Sequence, residues 1–126
     1  MKKTILVVDD ELSIRMLLEN FLSDDYEVIS KENGYEAMTW LQSGNNADLL
    51  LVDIDMPMIN GFEFTENIRK QSGMKNVPVI MLSSKQKSSD RIKSFTSGAD
   101  DYLQKPFNPE ELQVRIQSIF RRQAAA

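Results

Sequence analysis

The chain of 126 residues contains no cysteine and no histidine. Lack of cysteine excludes disulfides, thiolate nucleophiles and thiolate metal sites. It also fits a cytoplasmic location, the expectation taken here. Lack of histidine excludes Ser/His/Asp catalysis, a His-ligated zinc and a histidine phosphocarrier within the chain. Long apolar runs are missing too: none approaches the ~20 residues that cross a bilayer. Met1-Lys2-Lys3 followed by an apolar stretch has the outline of a secretory leader. Asp9 and Asp10 break it, however, and no small-residue cleavage site follows. An excess of basic charge is absent as well. The formal net charge of −4 argues against electrostatic gripping of nucleic acid.

What is present is the composition of one soluble domain with a sizeable core: 41% apolar and 27% charged residues. Its most informative feature is where the apolar runs stop. Ile5-Leu6-Val7-Val8 ends in Asp9-Asp10, and Leu49-Leu50-Leu51-Val52 ends in Asp53. Val77 to Leu82 ends in Ser83, and Tyr102-Leu103 leads to Lys105-Pro106. Such runs are expected as buried strands of a parallel sheet. Ligands of these sheets bind just past the carboxyl ends of the strands.

Strands are expected at 4–9, 26–30, 48–53, 77–82 and 100–103, and helices at 11–23, 34–43, 61–72, 88–97 and 109–122. The first helix carries Leu17, Leu18, Phe21 and Leu22 on one side, and Asn33 with Glu36 reads as a capping box for the second. Gly44, Gly73 and Gly98 fall where left-handed helix caps are wanted. Asn108-Pro109-Glu110-Glu111 reads as N-cap, first-turn proline and first-turn acids. Five βα units make an α/β fold with a doubly wound, five-stranded parallel sheet flanked by five helices. Residues 1–122 are expected to be the domain and 123–126 a tail.

Two or three Asp carboxylates within ~4 Å of one another would repel by several kcal/mol per pair at an effective dielectric near ~20. Protonation or a bound cation is therefore required. Hard oxygen ligands at an exposed rim suit magnesium. A carboxylate beside that ion can act as a nucleophile toward phosphorus, giving an aspartyl phosphate. Ser83 could then bond one phosphoryl oxygen and Lys105 neutralise another.

These residues resemble the receiver domain of two-component response regulators. Val7-Val8-Asp9-Asp10-Glu11 matches that family's first-strand acidic motif. Asp53-Ile54-Asp55-Met56-Pro57, with Gly61, matches the phosphoacceptor strand and its loop. Ser83 lies where the family places Ser or Thr, and Gly98 through Phe107 matches the fifth-strand motif. The likeness spans residues 4–122 and implies the strand order 2-1-3-4-5. It further implies that Asp53 takes a phosphoryl group from a sensor histidine kinase or histidine phosphotransfer protein. Asp10 and Asp53 would bind Mg2+ directly, Asp9 through water and Asp55 through its backbone carbonyl. Lys105 would pair with Asp53 and then with the phosphoryl, following a cis Lys105-Pro106 bond. Ser83 and Tyr102 would be the switch residues, with output through the fourth helix, fifth strand and last helix.

The charged set Arg91, Asp100, Asp101, Glu111 and Arg115, with apolar Val114, resembles the branch joined to winged-helix DNA-binding domains. That implies a homodimer on phosphorylation and control of transcription in a longer protein. The ordinary reading of such charges is a solvated face. Trp40, Phe62, Phe64, Phe95 and Phe120 are taken as packing, and Asp48 as shaping the turn into its strand. Met58 stands where the family often has glycine, Asn60 where it often has aspartate, and Ser84 where a smaller residue is common. Asp55 adds negative charge beside the acceptor and is expected to change the lifetime of the phosphorylated state.

Rival functions are a magnesium phosphohydrolase of the haloacid-dehalogenase type, a flavodoxin-like cofactor binder and an inert receiver-like module acting by protein binding. The hydrolase is suggested by Asp53-Ile54-Asp55, but Pro57 departs from that family's motif and no cap domain is present. The cofactor binder would meet repulsion from Asp9-Asp10-Glu11 where its phosphate loop should be. The inert module would have lost the acceptor or the lysine, and both are here.

Overall fold

A strand whose successive residues are all apolar must be covered on both faces. The computed structural model, which describes residues 2–84 and 88–125, covers them with two helical layers. Met1, and Ala126 at the end of the expected tail, lie outside the described residues. The strands are β1 (Lys3–Val8), β2 (Tyr26–Lys31), β3 (Leu49–Asp53), β4 (Val79–Ser83) and β5 (Asp101–Gln104). They alternate with helices α1 (Leu12–Leu22), α2 (Gly34–Gln42), α3 (Gly61–Lys70), α4 (Ser88–Thr96) and α5 (Pro109–Ala125). All strand pairs are parallel, in the order β2-β1-β3-β4-β5. The helix α5 runs on through Gln123 to Ala125, beyond the boundary expected at 122.

Period-two alternation divides each central strand between two cores. Leu6, Val8, Leu50, Val52, Val79 and Met81 pack toward Ala37 and Leu41 of α2 and Phe64 and Ile68 of α3. Ile5, Val7, Leu49, Leu51, Ile80 and Leu82 pack toward Leu18 and Leu22 of α1 and Leu112, Ile116 and Ile119 of α5. Every residue of β3 and β4 is buried. Asp48 bonds across the start of the sheet: its carboxylate accepts from the Thr4 amide at 2.7 Å, and its own amide donates to the Thr4 carbonyl at 2.8 Å.

Three local expectations need correction. Leu17 remains 41% exposed, because α1 meets the sheet along Ile14, Leu18, Phe21 and Leu22, an i, i+4, i+7, i+8 stripe that leaves Leu17 to one side. Phe95 is 47% exposed: α4 buries Ser94 alone and turns Ile92 and Phe95 outward. Asn33 does cap α2, accepting the Glu36 amide at 2.9 Å, but the Glu36 carboxylate returns to the Asn33 side-chain amide and not to its backbone. The reciprocal capping box lies instead at α3, between Asn60 and Glu63.

The loop from β3 to α3 presses its backbone against the end of β3. A Cβ on Gly61 would stand 2.6 Å from the Asp53 carbonyl oxygen and 2.8 Å from the Ile54 Cα. Neither is a flexible side-chain end that could yield. Met58, in the same loop, holds φ at 72° while 68% exposed, the left-handed region that glycine enters freely. The two positions should therefore respond oppositely. Gly61→Ala is expected to lose about 2 kcal/mol or more, and Met58→Gly to be neutral or to gain up to about 1 kcal/mol. Urea unfolding of both variants checks this, and equal losses would contradict it.

Candidate functional site

Parallel register decides which strand ends are neighbours. Val8 lies opposite Val52, so Asp9 and Asp53 leave their strands side by side. Asp53 pairs with Leu82, Ser83 pairs with Gln104, and the Lys105 amide donates to the Ser83 carbonyl at 2.6 Å. The rim expected from the sequence is thus assembled from β1, β3, β4 and β5. Lys105-Pro106 is cis, as the resemblance implied.

The Lys105 ammonium donates to Asp9 Oδ2 at 2.8 Å and to Glu11 Oε1 at 3.0 Å, and stands 3.4 Å from Asp53 Oδ1. Asp9, Asp53, Ser83 and Lys105 are all buried, whereas Asp10 and Glu11 face solvent. Asp10 lies near enough to Asp53 to help raise its carboxyl. Asp9, Asp10, Glu11 and Asp53 can each bring a carboxylate oxygen within 4.8 Å of the others. The Asp55 carboxylate is not one of this group; its amide lies 3.4 Å from Asp53 Oδ1. Ser84 is exposed beside the buried Ser83.

Burial, reinforced by the charge of Asp9, pushes the Asp53 carboxyl up to about 7. Burial also raises Asp9, against the opposing hydrogen bonds from Lys105 and the Glu11 amide. Burial alone would lower Lys105, but its bond to Asp9 and the charges of Asp53 and Asp9 outweigh that and hold it firmly protonated. Among the described residues, one ammonium facing four carboxylates leaves negative charge uncompensated. The donor set, all hard oxygen and half solvent-facing, fits a magnesium-sized dication.

Tyr102 is half-buried against the core under α2 and α3, with the Arg91 guanidinium 5.9 Å from its ring centre. Arg115 is bound by Asp101 at 2.9 Å and by Glu111 at 3.1 Å. Asp100 has different partners. It accepts from the Val79 amide at 2.9 Å and pairs with Arg69 at 3.1 Å, while Arg69 also donates to the Gly98 and Val77 carbonyls. Sequence reasoning missed two side chains, Arg69 and Glu11. Nothing in the sequence marks Arg69, an ordinary last-turn cation of α3. Glu11 was signalled only as the third acid in a row.

Comparison with known proteins agrees with this geometry. Residues 5–117 match the family model described as "Response regulator receiver domain". A "Probable transcriptional regulator ycf27" of Cyanophora paradoxa is 45% identical over 122 residues, which are 96% of this chain and 49% of that protein. The "Alkaline phosphatase synthesis transcriptional regulatory protein PhoP" of Bacillus subtilis is 39% identical over all of this chain and 52% of its own. The chain therefore spans about half the length of these curated relatives. Among solved structures, the chemotaxis response regulator CheY4 of Vibrio cholerae superposes with a TM-score of 0.88 at 35% identity, covering 94% of this chain and 99% of that one.

The raised Asp53 carboxyl has a consequence for stability. Unfolded, the group titrates near ~3.9; folded, it titrates at about 7. Its contribution is fully present below about 4 and is lost as pH rises through about 7. In metal-free buffer Asp53→Asn, which cannot ionise, should be more stable than the parent at pH ~8, by on the order of a few kcal/mol, with the gap closing toward pH ~4. Thermal unfolding across that range measures it; a gap independent of pH would refute the assignment.

Proposed function

Because the chain belongs to the response regulator receiver family, we propose that it is a signalling switch in which Asp53 accepts a phosphoryl group from a partner's phosphohistidine. The observation that carries this reading is a buried carboxylate at a strand end, pushed up to about 7 among other acids and facing a lysine that stays charged. An Asp53 oxygen forms a bond to phosphorus as the phosphorus–nitrogen bond of the donor imidazole breaks, and the departing imidazole takes up a proton. Asp10 and Asp53 would hold Mg2+, with Asp9 acting through water and the Asp55 carbonyl as a further ligand. Bound there, the ion supplies positive charge against the carboxylates and the phosphoryl oxygens. Lys105 follows the charge from the carboxylate to the phosphoryl, and Ser83 bonds a phosphoryl oxygen. The donor is a sensor histidine kinase or a histidine phosphotransfer protein, and the setting is cytoplasmic.

Output runs through α4, β5 and α5, with Ser83 and Tyr102 as the switch. Support comes from α4, where Ile92 and Phe95 are exposed, and from α5, where Val114 is 62% exposed. Arg91, Phe95, Asp101, Tyr102 and Arg115 line a groove of about 350 Å³ between them. Charges of both signs around exposed apolar side chains suit a second copy of the same face. The transcriptional regulators among the relatives support control of transcription by a longer protein. A receiver acting alone by protein binding is the alternative. A turnover phosphohydrolase is disfavoured by the family match.

Two outcomes are expected. With Mg2+ and acetyl phosphate, the protein gains a single adduct of about 80 Da, absent in Asp53→Asn and changed in lifetime in Asp55→Asn. Continuous release of phosphate from simple esters would instead support the hydrolase. In light scattering, beryllofluoride and Mg2+ raise the mass toward that of a dimer, and Arg115→Ala weakens the effect. A monomer at high concentration with and without the mimic would rule the dimer out.

A further inference from the structure

Glu11 occupies the N-cap position of α1, with extended backbone at φ −87° and ψ 114°, yet its side chain makes no capping bond. Ser, Thr, Asp or Asn is preferred there because a short side chain can reach the first free amides. Glu11 instead sends its carboxylate across the rim to Lys105 at 3.0 Å. The helix forgoes its side-chain cap, and the lysine gains a second close partner.

The three carboxylates around the ammonium are not equivalent. Asp9 is fully buried, with Oδ2 on Lys105 and Oδ1 on the Glu11 amide at 2.9 Å, so it is fixed in place. Asp53 is the farthest of the three at 3.4 Å. Glu11 is the flexible one: its side chain is 52% exposed and can swing to solvent at little cost. An ammonium has three N–H donors, and two of them point at Asp9 and Glu11. A phosphoryl group on Asp53 adds about −1.5 to −2 of charge and three acceptor oxygens. Those oxygens compete with Glu11 for the ammonium, which the Glu11 bond holds at 3.0 Å on its own side while Asp53 stands at 3.4 Å.

We propose that Glu11 is a positioning residue that holds Lys105 on the β1 side of the rim and thereby opposes phosphorylation of Asp53. The inference rests on the reading of Asp53 as phosphoacceptor. Glu11 stabilises the resting arrangement and has no matching bond to offer in the phosphorylated one. It sets how strongly the switch leans toward rest, and it acts through the lysine and not on the phosphoryl itself.

The test uses beryllofluoride as phosphoryl mimic at saturating Mg2+, with bound fluoride read by 19F NMR in the parent, Glu11→Gln and Glu11→Asp. Glu11→Asp retains the charge but is one methylene shorter and is suited to capping α1. Both variants are expected to bind the mimic about three- to fivefold more tightly than the parent, the scale of one partly exposed charged pair. In a Lys105→Gln background, neither substitution should change the remaining affinity. If Glu11 acted only by its charge, Glu11→Asp would behave as the parent; that result overturns the proposal. It is equally overturned if Glu11→Gln binds the mimic no better, or if the gain persists without Lys105. Magnesium titration by calorimetry separates a further possibility. A tenfold or greater loss of Mg2+ affinity in Glu11→Gln would make Glu11 a metal ligand instead and would sink the holding role. Failure of the parent itself to bind beryllofluoride would instead bring down the phosphoacceptor reading beneath it.

Discussion

Among the described residues, two buried carboxylates share one buried ammonium, and that imbalance conditions the carboxyl end of the sheet. Asp9 and Asp53 are 0% and 3% exposed, and Lys105 is 8% exposed. Taking such charges out of water costs several kcal/mol each, and their attraction recovers that only with good geometry. Here the geometry satisfies Asp9 at 2.8 Å and leaves Asp53 at 3.4 Å. The arrangement is therefore a poor source of stability and a good source of response. A proton, a dication or a phosphoryl group would each change the charge that the lysine has to answer.

The scaffold is rigid where the charges are held and lightly built at α4. The fully buried strands β3 and β4 carry Asp53 and Ser83. The close approach of Gly61 to the Asp53 backbone and the capping box at Asn60 anchor the loop that follows β3. By contrast, α4 buries Ser94 alone among its side chains. Its C-terminal end is tied down by Arg69, which grips the Gly98 carbonyl while Asp100 holds the start of β4. Elements with few buried apolar contacts open at the lowest free energy. The helix α4 is thus thinly packed along its length and held at its C-terminal end.

Most of the fold and the heart of the site were legible in the residue order. Short unbroken apolar runs bounded by turn residues read as strands covered on both faces, and amphipathic helices between them read as crossovers. The residues at the ends of the runs, Asp9, Asp10, Asp53, Ser83 and Lys105, then had to gather on one rim. Side-chain direction was harder to read. Leu17 and Phe95 are apolar residues on amphipathic helices, and nothing local tells which side of the stripe the sheet will take. Asn33 and Asn60 have the same Asn-x-x-Glu spacing, yet the reciprocal bond forms at Asn60 alone.

Charge partners divide along the same line. The sequence by itself determined that several acids and one lysine would meet, because strand order and parallel register follow from hydrophobic pattern and chain connectivity. It could not determine how the lysine's three hydrogens would be shared, since that depends on distances of a few tenths of an ångström between residues as far apart as Glu11 and Lys105. Only the tertiary structure placed Glu11 nearer than Asp53 to the lysine and paired the half-exposed Asp100 with Arg69. Hydrophobic burial is additive and readable along the chain. Electrostatic pairing in a buried site is set by three-dimensional competition among neighbours, and it is decided only once the fold has closed around them.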